Sequence, residues 1–319
     1  MSTKASSVTD SASLFTRHPG NPLLTRERWP YSINAVMNAA ATRIGDETVL
    51  LCRVEDRRGF SHLTCARSSD GASNWIVDDR PALAYDGAHA EEEWGLEDPR
   101  VTYVEELGRW IITYTAFGRE GPGVSLAQTE DFKTFERLGM VMSPEDKNAV
   151  LLPRRIGGDW VLFHRPTSVQ GADVWLSRSS DLKSWRSPER VLGRRQGGWW
   201  DSARVGIGPP PIETEHGWLV VYHGVRQTVA GGLYRAGLAL LDLEEPARVL
   251  RRSDEWVLGP NAPYEVSGDV PNVVFPCGLV HDADEDKLFL YYGAADTCIG
   301  LATARCSDVL DYLMACPPP

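Results

Sequence analysis

Two adjacent acids, a proline and an arginine stand together in GLEDPR at 95–100. A carboxyl beside a fixed cation is a tunable proton donor or acceptor. Adjacent strand residues point to opposite faces, so one of Glu97 and Asp98 is expected to aim into a pocket, with Pro99 holding Asp98 extended. Alone, the tetrapeptide also fits a solvated turn. Further sets add to it. KNAVLLP at 147–153 puts Lys147 and Asn148 before an apolar run, and HRP at 164–166 puts His164 and Arg165 after one. WWDSARVGIGPPPI at 199–212 joins Trp199, Trp200, Asp201 and Arg204 to a stiff Gly/Pro stretch, and PNVVFPCG at 271–278 sets Phe275 between prolines. Aromatic faces beside Asp, Asn and Arg suit sugars, whose ring faces stack while their hydroxyls need donors and acceptors. Any one of these aromatics read singly is core.

The elements that must position these residues repeat. A Gly or Asp turn followed by an apolar-aromatic run with a polar tip recurs as GDETVLLCRVED, GRWIITYTAF, GDWVLFHRP, GWLVVYHGV and DKLFLYYGAAD, starting at 45, 108, 158, 217 and 286. SSDGASNW, TEDFKTF and SSDLKSW echo between them at 68–75, 129–135 and 179–185. Recurrence at this period marks repeat architecture, and β-branched and aromatic runs between turns read as small β-meanders. Arranged radially they predict an all-β, five-bladed β-propeller. The ends of equivalent strands then converge on one axis and bring together Arg53, Glu55, Asp56, His164, Arg165, His223 and Asp296. SDVLDYLMA at 307–315 predicts a short C-terminal helix, with Ser307 as its cap.

The 319 residues read as one catalytic domain with no linker, about 1–20 and 316–319 being expected to fray. A net charge of −11 excludes the basic face that nucleic acid would require, and makes the local cluster of cations informative. No secretory h-region and no apolar run near the ~20 residues of a spanning helix is found, so a cytoplasmic protein without a membrane partner is expected. The six cysteines have no paired or zinc-like spacing and the seven histidines form no HExxH pattern, so no metal is expected. Oligomeric state is left open.

Taken in order, GLEDPR, KNAVLLP, HRP, WDSARVGIGPPP, YHG, LALLDL, PNVVFPCG and YYGAADT resemble glycoside hydrolase family 130, from about Asn38 to Leu310. The resemblance implies a five-bladed propeller that acts on β-mannosides. It implies that Asp98 is the general acid, its proton reaching the glycosidic oxygen through a sugar hydroxyl. Inorganic phosphate, a co-substrate rather than a cofactor, would attack from the opposite face and give α-mannose 1-phosphate with inversion. Lys147, Arg165, Arg204 and His223 match the phosphate-contacting positions. Lys147 stands where many relatives carry Arg, and Arg204 where many carry Lys, swaps that keep charge and change geometry. Asn38, Arg53, Asp56, Asn148, Asp201, Tyr234 and Asp296 match sugar-pocket positions, and Phe275 the acceptor side. The reading is an inverting β-mannoside phosphorylase of short mannooligosaccharides. A β-1,2-mannosidase of the same family and a noncatalytic sugar-binding propeller stand as alternatives.

Overall fold

A computed structural model describes residues 14–167 and 172–319. After a short β1 (Thr16–Arg17), the chain runs through five antiparallel meanders. The first is β2 (Ala35–Ile44), β3 (Glu47–Glu55) and β4 (Ser61–Ser68), with β5 (Ile76–Val77) on β4. The second is β6 (Gly95–Val104), β7 (Arg109–Gly118), β8 (Gly121–Thr129) and β9 (Glu136–Met142). The third is β10 (Asp146–Leu151), β11 (Trp160–Pro166), β12 (Val174–Ser179) and β13 (Arg186–Leu192). The fourth contains β14 (Arg204–Ile207), β15 (Ile212–Thr214), β16 (Gly217–Thr228), β17 (Gly231–Leu241) and β18 (Val249–Arg252), with β14 and β15 both on β16. The last is β19 (Val274–Asp282), β20 (Lys287–Ala294) and β21 (Cys298–Arg305), and β1 pairs with β21 at its edge. A parallel pairing of Ser61 with Gly95 joins the first two meanders, so the ladders form four sheets.

The recurring apolar phrase is the second main-path strand of every meander: β3, β7, β11, β16 and β20. Its run is unbroken because both faces are buried, each against a different neighbour. In β3, Val49 and Leu51 enter the core shared with the second meander, while Leu50, Cys52 and Val54 enter the one shared with the last. In β16, Trp218, Val220 and Tyr222 face the third meander and Leu219 and Val221 the last. A further core lies between the second and third meanders, with Val104, Ile111, Ala149 and Leu162. Hydrophobic layers thus link every consecutive pair of meanders, and also the last to the first. The echoing SSD and TED phrases are turns closed by one carboxylate. Asp70, Asp131 and Asp181 each accept two backbone N–H groups, from Ala72 and Ser73, Lys133 and Thr134, and Lys183 and Ser184.

Two expectations are corrected at the termini. Residues 14–20 are tied down: Leu14 and Phe15 are buried, and Arg17 donates to Glu265 Oε1 at 2.7 Å. Residues 1–13 lie outside the described residues. The C-terminal helix, which follows the one-turn α1 (Pro263–Val266), is α2 (Cys306–Ala315), and Val309 and Leu313 pack on the core. Ser307 is not its cap. It lies within the first turn, and its N–H and hydroxyl both donate to Asp286, at 3.0 and 2.5 Å. The final prolines are exposed.

Candidate active site

The opening strands of the first three meanders carry the same irregularity, and it aims the site. The ladders slip between Met37 and Ala40 in β2, Glu97 and Arg100 in β6, and Lys147 and Val150 in β10. At each slip one residue takes the left-handed backbone: Asn38 at φ 48°, Asp98 at 46° and Asn148 at 54°. Asn and Asp accept this conformation more readily than other side chains do, and a bulge re-aims a side chain out of the strand's alternation. Pro99 therefore does not keep Asp98 extended, and the rule of one acid per face fails. Arg53 donates to Glu97 Oε1 at 2.9 Å and to Asp98 Oδ1 at 3.1 Å, so both acids meet one guanidinium.

These bulges open on a cavity of about 230 Å³. Arg53 reaches it from β3, Arg165 from β11, Arg204 from β14, His223 from β16, Tyr234 from β17, Phe275 from β19, and Asp296 from just beyond β20. Lys147, beside the third bulge, completes the ring of polar residues.

On the acid side, Asn38 Nδ2 donates to Asp98 Oδ1 at 2.8 Å. Gly293 makes this possible, because a Cβ there would collide with the Asn38 carboxamide. Arg100, fully buried, donates to the carbonyl oxygen of Asp98 at 2.7 Å and to that of Gly208 at 2.7 Å. Burial alone would raise the Asp98 carboxyl, but Arg53, Arg100, Lys147 and the Asn38 amide outweigh it and hold it at about 2. Asp296 moves the other way. Burial and the nearby Asp98 charge push it up to about 6 against the opposing pull of Arg53. Two carboxyls lining one cavity are thus drawn apart, as in sites that divide acid and base roles.

On the cation side, Lys147 and Arg165 are direct ladder partners. Like charges opposite one another destabilise a sheet, so the pair signals an anion. Among the described residues, the Arg165 guanidinium has no ion pair or hydrogen bond, although the residue is only 7% exposed. Burial, aided by Arg204 and opposed by Tyr234, lowers it to about 10. The nearest carboxylate to Lys147 is Glu97, at 3.9 Å, and Arg204 Nη1 donates to Tyr234 Oη at 3.4 Å. His223 is fully buried, and burial together with Arg165 and Arg100 pushes it well below its ordinary value. It joins the cluster as a neutral hydrogen-bonding group, not as a further cation. Asn148 Nδ2 lies 3.4 Å from His223 Nε2. Accepting there puts the ring proton on Nδ1. Phe275 packs on the imidazole with ring centroids 4.4 Å apart.

Buried polar atoms nearly always have partners. Asn38 Oδ1, Asn148 Oδ1, Arg165 Nε and His223 Nδ1 have none among the described residues, and all four residues line this cavity. Hydroxyls and an oxyanion would satisfy them.

Of the residues singled out from sequence, Glu55 and His164 do not line the cavity, Glu55 accepting from Asn34 Nδ2 at 3.0 Å and His164 turning to Asp146, and the structure also leaves out two residues matched to the sugar pocket. Asp56 sits in the turn after β3, where it accepts the Arg58 N–H at 2.7 Å and the Arg58 guanidinium at 2.7 Å. Asp201 is fully buried among Arg195 at 2.9 Å, Arg252 at 2.8 Å and the Tyr222 hydroxyl at 3.0 Å. Sequence reasoning missed Asp146, which backs the cation pair. Its Oδ2 meets His164 Nδ1 at 2.6 Å, its Oδ1 accepts the Arg165 backbone N–H at 3.1 Å, and His164 Nε2 meets Ser177 Oγ at 3.0 Å. The only available signal was an acid directly preceding Lys147.

Comparison with known proteins shows what the chain as a whole is similar to. Residues 25–315 match the glycoside hydrolase family 130 profile, described as β-1,4-mannooligosaccharide phosphorylase. The chain is 36% identical over 313 residues to the β-1,4-mannooligosaccharide phosphorylase of Ruminococcus albus, covering 95% of this chain and 92% of that one. It is 36% identical over 263 residues to a β-1,2-mannobiose phosphorylase of Listeria innocua, covering 80% and 71%. The solved complex of the Listeria innocua β-1,2-mannobiose phosphorylase with β-1,2-mannobiose matches with a TM-score of 0.85 at 29% identity, over 94% of this chain and 99% of that one. The chain belongs to glycoside hydrolase family 130.

Proposed function

We propose that this chain is an inverting β-mannoside phosphorylase that cleaves a short β-mannooligosaccharide with inorganic phosphate. The observation that carries the reading is the Lys147–Arg165–Arg204 cluster, with the Arg165 guanidinium buried and unpaired among the described residues, in the same cavity as Asp98. Phosphate is already a nucleophile at neutral pH and requires fixed cations more than a base. Its dianion accepts from the three cations and from the neutral His223 Nδ1–H. The mannosyl unit takes Asn38, Arg53, Asn148, Tyr234 and Asp296 as hydroxyl partners, with Phe275 toward the acceptor. A phosphate oxygen bonds to the anomeric carbon as the bond to the glycosidic oxygen breaks. That oxygen leaves with a proton supplied by Asp98, and the product is α-mannose 1-phosphate.

The five meanders, with hydrophobic layers between each consecutive pair and between last and first, support one five-bladed propeller as a single catalytic domain. Six free cysteines suit a reducing, cytoplasmic compartment, and among the described residues no helix is long and apolar enough to cross a membrane. The reaction run backwards tests the reading. Given α-mannose 1-phosphate and mannose or mannobiose, the enzyme synthesises a β-mannoside and releases phosphate, while β-mannose 1-phosphate is inert. Release of free mannose without phosphate, and no synthesis from any acceptor, would overturn it in favour of hydrolysis.

A further inference from the structure

Behind the catalytic cavity, the third meander carries a buried polar chain. Asp146 on β10, His164 on β11 and Ser177 on β12 are 6%, 4% and 4% exposed, and none of them lines the cavity. By alternation His164 shares its face of β11 with Leu162, and Ser177 is the ladder partner of Leu162, so the chain lies in the layer between the second and third meanders. That layer is otherwise built from apolar side chains, among them Val124, Leu126, Leu151 and Trp160. Polar groups in such surroundings cost stability unless they are paired. Here both Asp146 oxygens and both His164 nitrogens have partners, at 2.6, 3.0 and 3.1 Å.

The chain ends on the anion site. Asp146 directly precedes Lys147, and its Oδ1 accepts the backbone N–H of Arg165, the ladder partner of Lys147. One carboxylate thus ties both residues of a like-charged rung, from the face opposite their side chains. The rung needs such a tie. Two cations facing one another repel, and among the described residues the Arg165 guanidinium has no partner, so its backbone is what aims it. We infer that Asp146, His164 and Ser177 are positioning residues, a buried tie across β10, β11 and β12 that holds Lys147 and Arg165 at the spacing a phosphate requires. It serves affinity for phosphate and not for the sugar, because its bonds reach none of Asn38, Arg53, Tyr234, Phe275 and Asp296. This rests on the phosphorylase reading above.

The test separates the anion from the sugar. His164→Phe removes both bonds of the ring while keeping an aromatic side chain beside Leu162. Ser177→Ala removes only the last link and changes no charge. Asp146 is left in place, since loss of its negative charge would by itself favour an anion. At saturating mannobiose of the linkage the wild type cleaves, the apparent phosphate constant rises about tenfold in His164→Phe and about threefold in Ser177→Ala. In both variants kcat at saturating phosphate and the mannobiose constant stay within about twofold of the wild type. Calorimetric titration with inorganic phosphate alone shows the same losses of affinity. Leu162→Ala is the control: it loosens the same layer and melts lower, yet leaves the phosphate constant unchanged. A phosphate constant that rises as far in Leu162→Ala would reduce the tie to general packing and overturn the inference. Equal rises in the phosphate and mannobiose constants would overturn it too. Should His164→Phe not fold, Ser177→Ala decides: phosphate bound equally by this variant and the wild type overturns the tie alone. A wild type that binds no phosphate fails the phosphorylase reading, and the tie with it.

Discussion

Phosphate binding should arm the acid. With the Asp98 carboxyl held at about 2, roughly one molecule in 10⁵ carries the proton at pH 7, far too few for a general acid. The cations responsible include Lys147, which belongs to the anion cluster. At an effective dielectric of about 20 and a separation of about 6 Å, one unit charge is worth ~3 kcal/mol, or ~2 pKa units. A bound dianion therefore lifts Asp98 by up to ~4 units, into the range where a carboxyl serves near neutrality. The linkage is reciprocal. Asp98→Asn should bind phosphate at least ~10-fold tighter while turnover falls ~10²–10⁴-fold. Calorimetric titration with phosphate at pH 6.5, in buffers of different ionisation enthalpy, measures both affinity and proton uptake. The wild type takes up more protons than the Asp98→Asn enzyme, and this difference cancels the titration of phosphate itself. Equal uptake and equal affinity in the two proteins would refute the coupling.

Arg165→Ala should raise the apparent phosphate constant roughly ten- to a hundredfold, the worth of a charged hydrogen bond, while the mannoside constant stays put; equal losses in both would mean a collapsed pocket. Gly293→Ala drives a methyl group into the Asn38 carboxamide and should cut turnover at least ~10-fold by withdrawing the Asp98 hydrogen bond, which steady-state kinetics beside a melting curve will check. Asp296 has its folded value raised to about 6 from 3.8, so it costs stability as pH rises through 6 and nothing once pH is below about 4. Asp296→Asn should therefore gain about 3 kcal/mol at pH 8, a gain that vanishes near pH 4; melting temperatures that differ equally at both pH values would refute this.

The strands and the site were legible in the sequence to different depths. The apolar phrase stood out because β3, β7, β11, β16 and β20 are each buried on both faces, which leaves an unbroken run. The capping turns stood out because one Asp closes each. The bulges did not, since a slip in register depends on the partner strand and leaves no local mark. That is why both Glu97 and Asp98 could reach Arg53 against the rule of alternation. Asp201 was misjudged because its neutralising partners, Arg195 and Arg252, are hidden by the fold: one lies in the loop before β14 and the other at the end of β18. His223 looked cationic in sequence, and only its full burial beside Arg165 and Arg100 shows that it stays neutral.

The most direct test of phosphorolysis is incubation of the purified enzyme with β-mannobiose, with and without phosphate, followed by ³¹P and ¹H nuclear magnetic resonance. Cations arranged to hold a nucleophile predict α-mannose 1-phosphate and mannose in equal amounts, formed only when phosphate is present, with the α configuration visible from the first turnover. Mannose released at the same rate without phosphate, or a sugar phosphate that first appears as the β anomer, would contradict the assignment of Lys147, Arg165 and Arg204 to an inverting attack by phosphate.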